Sequence, residues 1–492
     1  MLFNSWAFLI FFPVVTTLFY VLPQRWRWLM LLLASCIFYI SFIPVYLLIL
    51  AATIVIDYYA ALYIENSQGR RRAIFLWGSV AATCLILFFF KYYDFFALNT
   101  TALARLLGWN YSLAALEIIL PIGLSFHTFQ SLSYVIEVYR GNQKAEQHFG
   151  IYALYVMFYP QLVAGPIERP QNLLHQFREK HGFDYRNVVD GLKLAAWGLF
   201  KKVVIADRLA RFVNPVFDHP TEYQGLVLIV ATVFFTFQIF CDFSGYSDIA
   251  VGVARVMGFR LMNNFDRPYS AKSLAEFWKR WHISLSTWLR DYIYEPLSLK
   301  WRNAGMAGIL AALMVTFLIS GFWHGANWTY VIWGGLHGLV LCLELMLAKP
   351  RKRLSRMMSE TVYNALSLLV TFTFLNLSYV FFRARTIDDA WYIISHLGSG
   401  DFGFGRLINT SVQSIYSSVP GFWHSKTGEF YFCWGLICLL TGVHTLQSRI
   451  HIREYLSGLP WWLRAMIYQI CLLALLILGI WLEKLQFIYF QF

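Results

Sequence analysis

The sequence predicts an all-α protein whose helices cross a membrane several times. Of its 492 residues, 58% are hydrophobic and only 14% are charged, whereas a soluble protein carries about a quarter charged residues. Apolar runs recur along the whole chain, and each approaches the roughly 20 residues that a helix needs to span a bilayer. These runs are residues 4–22, 28–56, 73–90, 224–241, 306–319, 329–347, 362–382, 429–443 and 465–482.

Helices are expected because lipid offers the backbone no hydrogen-bond partner, and the short alternating strands of a membrane barrel are absent from the sequence. We predict about eleven transmembrane helices, with re-entrant and interfacial helices, around a central buried cavity. The whole chain, 1–492, reads as one membrane-embedded domain: N-terminal helices (1–140), a core (141–385), and a C-terminal loop and helices (386–492). Residues 396–428 are expected to form the polar loop.

Two features of the N-terminal third refine this outline. The first apolar run begins at Leu2 with no basic residue before it and no small-residue cleavage site after it, which favours a retained span over a cleaved signal peptide. The segment 159–166 carries Pro160 and Pro166, which interrupt a helix. A broken segment at membrane depth has to be buried in protein or line a wet cavity.

The net charge of +13 is concentrated in clusters between the apolar runs. The clusters are Arg25–Arg27, Arg70–Arg72, Arg140–Lys144, Lys201–Arg211, Lys279–Arg302 and Lys349–Arg356. Basic loops lie on the cytoplasmic side of a membrane protein, so we expect a multi-pass protein of the cytoplasmic (inner) membrane with its N-terminus outside. Nucleic acid is not expected as a partner because spans interrupt the charge. Part of the excess suits anionic lipid.

The sequence gives no indication of a bound metal. The seven cysteines lie mostly in apolar segments without CxxC spacing, and no HExxH motif or helical histidine pair occurs. No GxSxG motif or P-loop occurs either, so the chain lacks a nucleophile elbow of its own.

His324 is a candidate functional residue. It lies in the segment 321–328, between two apolar runs, and ionisable residues at membrane depth are costly and often functional. The alternative is a packed histidine bonded to a carbonyl of a neighbouring helix. Asn327, three residues later, could share a helical face with His324 and orient its ring. His337 is interpreted as structural.

Residues 273–292 read as a single amphipathic helix. Ser273 and Glu276 form a capping-box pattern, and an apolar stripe rich in tryptophan follows at helical spacing. His282 lies at the border of the stripe, and Ser286 and Lys279 lie on its polar flank. One interpretation is an amphipathic helix at the cytoplasmic surface with its tryptophans at the lipid interface, although this explains His282 poorly. The other interpretation is that His282 has a functional role.

Asp242 and Asp248 lie beside a long apolar run, around Gly245. Asp, Ser and Gly favour turns, so a capped turn between two helices is one interpretation. The other is a carboxylate that orients a histidine or binds an acceptor.

The sequence resembles the membrane-bound O-acyltransferase superfamily, and most of all its alginate O-acetylase branch. The resemblance runs to about residue 385 and is carried by Leu120–Phe126, Leu162–Ile167, Asp242–Asp248, Phe277–Tyr292 and Trp323–Asn327. The last two motifs are the most specific.

The resemblance implies an enzyme that moves an acyl group from a cytoplasmic thioester to a hydroxyl across the membrane. It implies that His324 is the catalytic base and His282 the second catalytic residue. A neutral imidazole suits removal of a hydroxyl proton, and the acyl-transfer oxyanion requires donors. We predict supporting roles for Asn327, Trp323, Ser286 and Asp242, and donor binding by Lys279, Arg280 and Arg290.

We therefore predict an O-acetyltransferase that acetylates an exported polysaccharide such as alginate. No cofactor is expected to stay bound; acetyl-CoA is the donor substrate. The expected partners are the extracellular polysaccharide, a periplasmic or extracellular esterase-like O-acetyltransferase and membrane lipid. Alternatives are D-alanyl transfer to teichoic acid, peptidoglycan O-acetylation, or a transporter without chemistry of its own, whose inverted repeats are not evident.

Overall fold

A computed structural model describes residues 1–116, 121–400, 402–403, 405, 407–416, 425–450, 455–456, 458–481 and 487–488, with the side chains of 409 and 410 excepted. These residues form helices, turns and loops, without a β-strand among them. Leu120, the first residue of the motif Leu120–Phe126, lies outside the described residues. The α-helices are α1 (Trp6–Val21), α2 (Gln24–Ile40), α3 (Tyr46–Glu65), α4 (Gly69–Leu87), α5 (Tyr93–Leu106), α6 (Leu124–Arg140), α7 (Phe149–Met157), α8 (Pro170–Leu173), α9 (Tyr185–Phe200), α10 (Asp207–Asp218), α11 (Leu226–Val256), α12 (Leu274–Arg280), α13 (Ile283–Leu289), α14 (Glu295–Lys300), α15 (Gly305–His324), α16 (Trp328–Met346), α17 (Ala348–Met357), α18 (Glu360–Arg383), α19 (Ile387–His396), α20 (Val412–Ile415), α21 (Lys426–Gln447) and α22 (Trp461–Leu478).

Eight helical segments of the described chain are long and apolar enough to cross a membrane. They are α3, α4 continued through α5, α11, α15 with the turn before it, α16, α18, α21 and α22. The predicted class, an all-α polytopic membrane protein, is therefore confirmed. The eight are fewer than the predicted eleven partly because α1 and α2 contain only 16 and 17 residues, short of a full span.

The chain divides into two compact units. The first comprises Met1–Ala195, Tyr246–Asn263 and Gly325–Asn327. Inside it, the carboxylate of Asp57 on α3 accepts hydrogen bonds from Ser79 (2.5 Å) and Thr83 (3.2 Å) on α4. Hydroxyl donors of this kind join helices where water is excluded. The predicted interruption at 159–166 is confirmed: the segment forms turns and every residue in it is buried, as an irregular backbone at membrane depth requires.

The second unit comprises Ala196–Gly245, Asn264–His324 and Trp328–Phe492. Its core is aromatic and aliphatic, built from side chains of α10, α11, α12, α16, α18 and α21. Part of the predicted loop 396–428 is helical, since Leu407–Ser411 form a π-helical turn that leads into α20. Residues 417–424 of that loop lie outside the described part of the chain.

Within the second unit, α15 and α16 form a tightly packed hairpin. A Cβ atom on Gly321 would overlap the carbonyl oxygen of Tyr330, and one on Gly334 would overlap that of Phe317. The two glycines also lie against each other. Small residues at a helix contact let two backbones approach closely, which holds membrane helices together. The hairpin fixes the end of α15, where His324 lies.

Gly334→Ala is expected to destabilise the protein by about 1–3 kcal/mol, because the added methyl group meets backbone atoms that cannot move aside. The measurement is the thermal unfolding midpoint of the purified protein in detergent. The matched control is Gly335→Ala on the same helix, where the new Cβ would meet only a Leu318 methyl carbon at 3.7 Å. Equal effects of the two substitutions would contradict the close packing at Gly334.

Candidate active site

The helix predicted over 273–292 is broken, so that prediction is wrong in its centre. α12 ends at Arg280 and α13 begins at Ile283. Trp281 between them is extended, and His282 adopts the left-handed conformation with φ 43° and ψ 54°. The predicted start of the helix is confirmed, because the Ser273 hydroxyl accepts a hydrogen bond from the Glu276 amide at 3.1 Å. The apolar stripe fits a helix on either side of the break, and so does not reveal it.

Asn264 holds the break in place. Its backbone oxygen accepts from the Ile283 amide (2.9 Å), and its side-chain oxygen accepts from the Ser284 hydroxyl (2.6 Å) and amide (3.2 Å). Asn264 is buried at 2% exposure. A left-handed non-glycine residue costs roughly 1–2 kcal/mol, and hydrogen bonds of roughly 1 kcal/mol each can offset that cost. Strain of this kind concentrates at functional sites.

The left-handed turn directs the imidazole of His282 into the core of the second unit. The residue is completely buried. Its ring centroid lies 4.6 Å from that of Phe243 on α11 and 6.3 Å from that of Trp323 on α15. Burial lowers the pKa of His282 to about 3, against its usual 6.5. The imidazole is therefore neutral at physiological pH.

His324 is the last residue of α15 and is only 4% exposed. Three aromatic rings surround its imidazole, with centroids at 5.0 Å (Trp323), 5.1 Å (Trp333) and 5.2 Å (Phe382). All three stand edge-on or steeply inclined to it. This is a low-dielectric environment in which polar interactions with a substrate gain strength.

Trp323 links the two histidines, because its indole ring contacts both imidazoles. Three of the predicted site residues, His282, His324 and Trp323, therefore lie together, although the histidines are 42 positions apart in the sequence. Two buried imidazoles beside one indole provide a proton acceptor and hydrogen-bond donors where water is largely excluded. That combination suits acid–base chemistry on a hydroxyl.

Asn327 does not share a helical face with His324, so that prediction is wrong. α15 ends at His324, and residues 325–327 form the turn before α16. Glycine at 325 and a close-packed hairpin favour a turn over a continued helix. Asn327 is half-buried within this turn. Ser286 is placed on α13, where its hydroxyl donates to the carbonyl of Trp281 at 3.0 Å.

The interpretation of Asp242 as part of a turn is also wrong, because Asp242 lies inside the 31-residue helix α11. Its carboxylate pairs with Lys202 at 2.6 Å and accepts the Ile488 amide at 2.7 Å. Lys202 also pairs with Asp207 at 2.8 Å. Burial alone would lower the pKa of Lys202, but the carboxylates of Asp242 and Asp207 more than offset this and raise it. Paired in this way, the charges are tolerated in the interior, and the turn propensity of Asp, Ser and Gly is overridden.

Asp242 is linked to the candidate site through its neighbour in the chain. The next residue on α11, Phe243, carries the ring that packs on His282. The ion pair with Lys202 fixes this part of α11. Within the described part of the chain, the Asp242 carboxylate contacts Lys202 and Ile488 rather than a histidine.

The three predicted donor-binding residues lie on or just after α12 and α13. Arg280 pairs with Glu276 at 2.8 Å, and Arg290 pairs with Asp291 at 2.8 Å. Lys279 is exposed. In the described part of the chain, no three His, Cys, Asp or Glu side chains are arranged to hold a metal ion.

Four further residues shape the site without having been predicted: Phe243, Asn264, Trp333 and Phe382. Phe243 stands within a motif that carries the family resemblance, and Trp333 follows His324 by nine residues, so proximity in sequence could have suggested both. Asn264 lies 18 positions before His282, and Phe382 lies 58 positions after His324. No local sequence pattern indicates that either residue contributes to the site.

Comparison with known proteins shows that this multi-pass membrane protein is an enzyme. A model of the MBOAT, membrane-bound O-acyltransferase family matches residues 148–384, a range that contains both histidines. The protein named "probable alginate O-acetylase AlgI" of Pseudomonas aeruginosa is 39% identical over 415 residues, covering 82% of this chain and 75% of its own. The chain belongs to the membrane-bound O-acyltransferase family and is an O-acyltransferase.

Two other relatives carry different names. A peptidoglycan O-acetyltransferase of Helicobacter pylori is 35% identical over 427 residues, covering 80% of this chain and 79% of its own. A teichoic acid D-alanyltransferase of Streptococcus thermophilus is 28% identical over 292 residues, covering 55% of this chain and 70% of its own. The predicted family and enzyme class are confirmed, and the roles of the individual site residues stay predictions.

Asn264→Ala is expected to lower the free energy of unfolding by about 1–3 kcal/mol, because the buried hydroxyl and amide of Ser284 lose their acceptor. Chemical or thermal unfolding in detergent measures the change. Asn263→Ala, at the exposed neighbouring position, serves as control and is expected to be neutral. A neutral effect at both positions would mean that Asn264 does not hold the break.

His282 is expected to make stability depend on pH. Its folded pKa of about 3 lies below the usual 6.5, so its contribution is complete above pH 6.5 and is lost as pH falls towards 3. The stability advantage of wild type over His282→Asn, an exchange that tolerates the left-handed backbone, should shrink by about 1 kcal/mol between pH 7 and pH 5.5. A constant difference between wild type and His282→Asn would contradict the buried neutral imidazole.

Proposed function

We propose that this O-acyltransferase transfers acetyl groups from cytoplasmic acetyl-CoA across the membrane, towards hydroxyls of an exported polysaccharide such as alginate. The observation that carries the proposal is the shared contact of His282 and His324 with the indole of Trp323. The similarity to alginate O-acetylases over about four-fifths of the chain supports the acetyl group and the polymer.

His324 acts as the general base. Its imidazole takes the proton of the attacking hydroxyl, whose oxygen forms a bond to the thioester carbonyl carbon. The tetrahedral intermediate then collapses, the carbon–sulfur bond breaks, and the imidazolium returns its proton to the thiolate. The products are the acyl ester and the free thiol, so no proton is gained or lost overall.

His282 stabilises the oxyanion of that intermediate. A neutral imidazole has one N–H group that can donate to the oxyanion. Because the pKa of His282 is low, its imidazole is neutral at physiological pH. The indole N–H of Trp323 is a second candidate donor. Ser286 is a weaker one, since its hydroxyl already donates to Trp281. Asn327 and Asp242 act as supporting residues, Asp242 through Lys202 and the position of α11.

The donor is held by charge rather than by a permanent cofactor. Lys279, Arg280 and Arg290 attract the phosphates of acetyl-CoA. Arg280 and Arg290 share their charge with Glu276 and Asp291, so Lys279 contributes most to the attraction. No metal takes part.

The protein lies in the cytoplasmic (inner) membrane with its basic loops in the cytoplasm and its N-terminus outside. The hydroxyl that receives the acetyl group lies on the far side, where an esterase-like O-acetyltransferase moves the group on to the polymer. Nucleic acid is not a partner. These assignments rest on the family resemblance and on the charge clusters other than Lys201–Arg211, whose Lys201, Lys202 and Arg208 are buried and so do not form a basic loop.

Peptidoglycan O-acetylation is the second candidate. It is favoured by the 35% identity with the Helicobacter pylori enzyme, which covers nearly the same share of the chain as the alginate relatives. D-alanyl transfer has less support, because the corresponding relatives match only about half of the chain.

His324→Gln is expected to lower acyl transfer by roughly 10²–10⁴-fold, the usual contribution of a general base. Ester-linked acetate is measured in the exported polysaccharide and in peptidoglycan of a deletion strain that carries each variant, together with the amount of protein in the membrane. The control is His127→Gln, another buried histidine, in the first unit. It should retain activity.

Acetate lost from the polysaccharide alone supports the first proposal, and acetate lost from peptidoglycan alone supports the second. Full acetylation by His324→Gln at normal protein level would exclude His324 as the base.

A further inference from the structure

The basic helix α17 lies directly after a membrane span. It begins two residues after Met346, the end of α16. Its ten residues include five basic side chains and no acidic one: Lys349, Arg351, Lys352, Arg353 and Arg356. The first of these charges follows the end of the span by three residues.

α17 also carries an apolar stripe that protein does not cover. At about 100° per residue, Leu347, Pro350, Leu354 and Met357 fall on one side of the helix, with Arg351 and Arg353 on its two flanks. Leu347 and Leu354 are each 49% exposed and Met357 is 76% exposed. No residue of α17 is buried. An exposed apolar stripe beside basic residues is typical of a helix that lies in the surface of a bilayer.

The first turn of α17 is anchored to the rest of the second unit. Arg351 pairs with Glu344 of α16 at 3.3 Å and donates to the carbonyl of Lys272 at 3.4 Å. The Glu344 carboxylate in turn accepts from the first two amides of α12, Leu274 (2.8 Å) and Ala275 (3.1 Å). The orientation of α17 is therefore fixed at one end, while its last two turns project from the unit.

We propose that α17 is a docking helix for anionic phospholipid. The phosphate headgroups bind its basic side chains, and Leu354 and Met357 enter the boundary between headgroups and acyl chains. Juxtamembrane basic residues attract anionic lipid. The apolar stripe favours lipid over a soluble phosphate ligand such as coenzyme A, because such a ligand would leave Leu354 and Met357 in water.

The first experiment places a photo-crosslinking amino acid at position 357, and separately at 352 on the basic side, in the full-length protein. The protein is reconstituted in vesicles of phosphatidylcholine with about 30% phosphatidylglycerol, and the adducts are identified by mass spectrometry. Lipid adducts at 357 in clear excess over 352 are expected. A protein adduct, a coenzyme A adduct in vesicles supplied with it, or the absence of lipid adducts at 357 would overturn the proposal.

The second experiment measures the preference of the protein for phosphatidylglycerol over phosphatidylcholine. Lys352→Gln/Arg356→Gln is expected to reduce the preference roughly tenfold or more, since each basic residue near a surface contributes appreciably to anionic-lipid binding. The matched control, Arg70→Gln/Arg71→Gln, removes two exposed charges at the start of α4 and should change it less. High salt should weaken the wild-type preference. Equal losses in the two double variants, or no loss in either, would overturn the role of α17.

Discussion

The candidate site depends on the left-handed turn at His282. Without it, α12 and α13 would join into one helix, and the imidazole would stay at the edge of an apolar stripe. Asn264 stabilises the turn by accepting three hydrogen bonds, through its backbone and side-chain oxygens. The turn brings His282 to Phe243 and Trp323, and the close-packed hairpin of α15 and α16 brings His324 to the same indole.

Two kinds of environment surround this arrangement. Aromatic rings enclose both imidazoles, which excludes water and keeps His282 neutral. Behind Phe243, the buried charges of Lys202, Asp207 and Asp242 compensate one another. Because removal of one partner leaves an uncompensated buried charge, such a group resists local rearrangement. The aromatic rings around the two imidazoles and the ion pairs of Lys202 together hold the imidazoles in fixed positions.

Composition and periodicity predict the class of fold because lipid imposes a simple rule: long apolar helices whose backbone bonds are internal. The spans near 306–319, 329–347 and 362–382 were placed within a few residues. The same reasoning failed at Trp281–His282 and at Asp242. In each case a distant residue, Asn264 or Lys202, overrides the local preference, and spacing carries no information about it.

The three predicted residues that lie together were chosen through motif resemblance rather than through geometry. His282, His324 and Trp323 do lie together, but their 42-residue separation gave no physical reason to expect this. The prediction for Asn327 is wrong because the three-residue spacing indicates a continuous helix, whereas the chain turns at Gly325. Asn264 and Phe382 could not be anticipated, since their contribution exists only once the helices have packed.

The central claim is that His282 and His324 act on one acyl group as a unit. The most direct test is a double-mutant cycle of acyl-transfer rate, using purified protein in proteoliposomes supplied with acetyl-CoA and a polysaccharide acceptor, with release of coenzyme A as the readout. His282→Asn, His324→Gln and the combined variant are compared at equal amounts of folded protein. Residues that act as a unit give strongly non-additive losses, so the combined variant should be no slower than His324→Gln alone. Losses that multiply, or substantial activity in His324→Gln, would contradict the account.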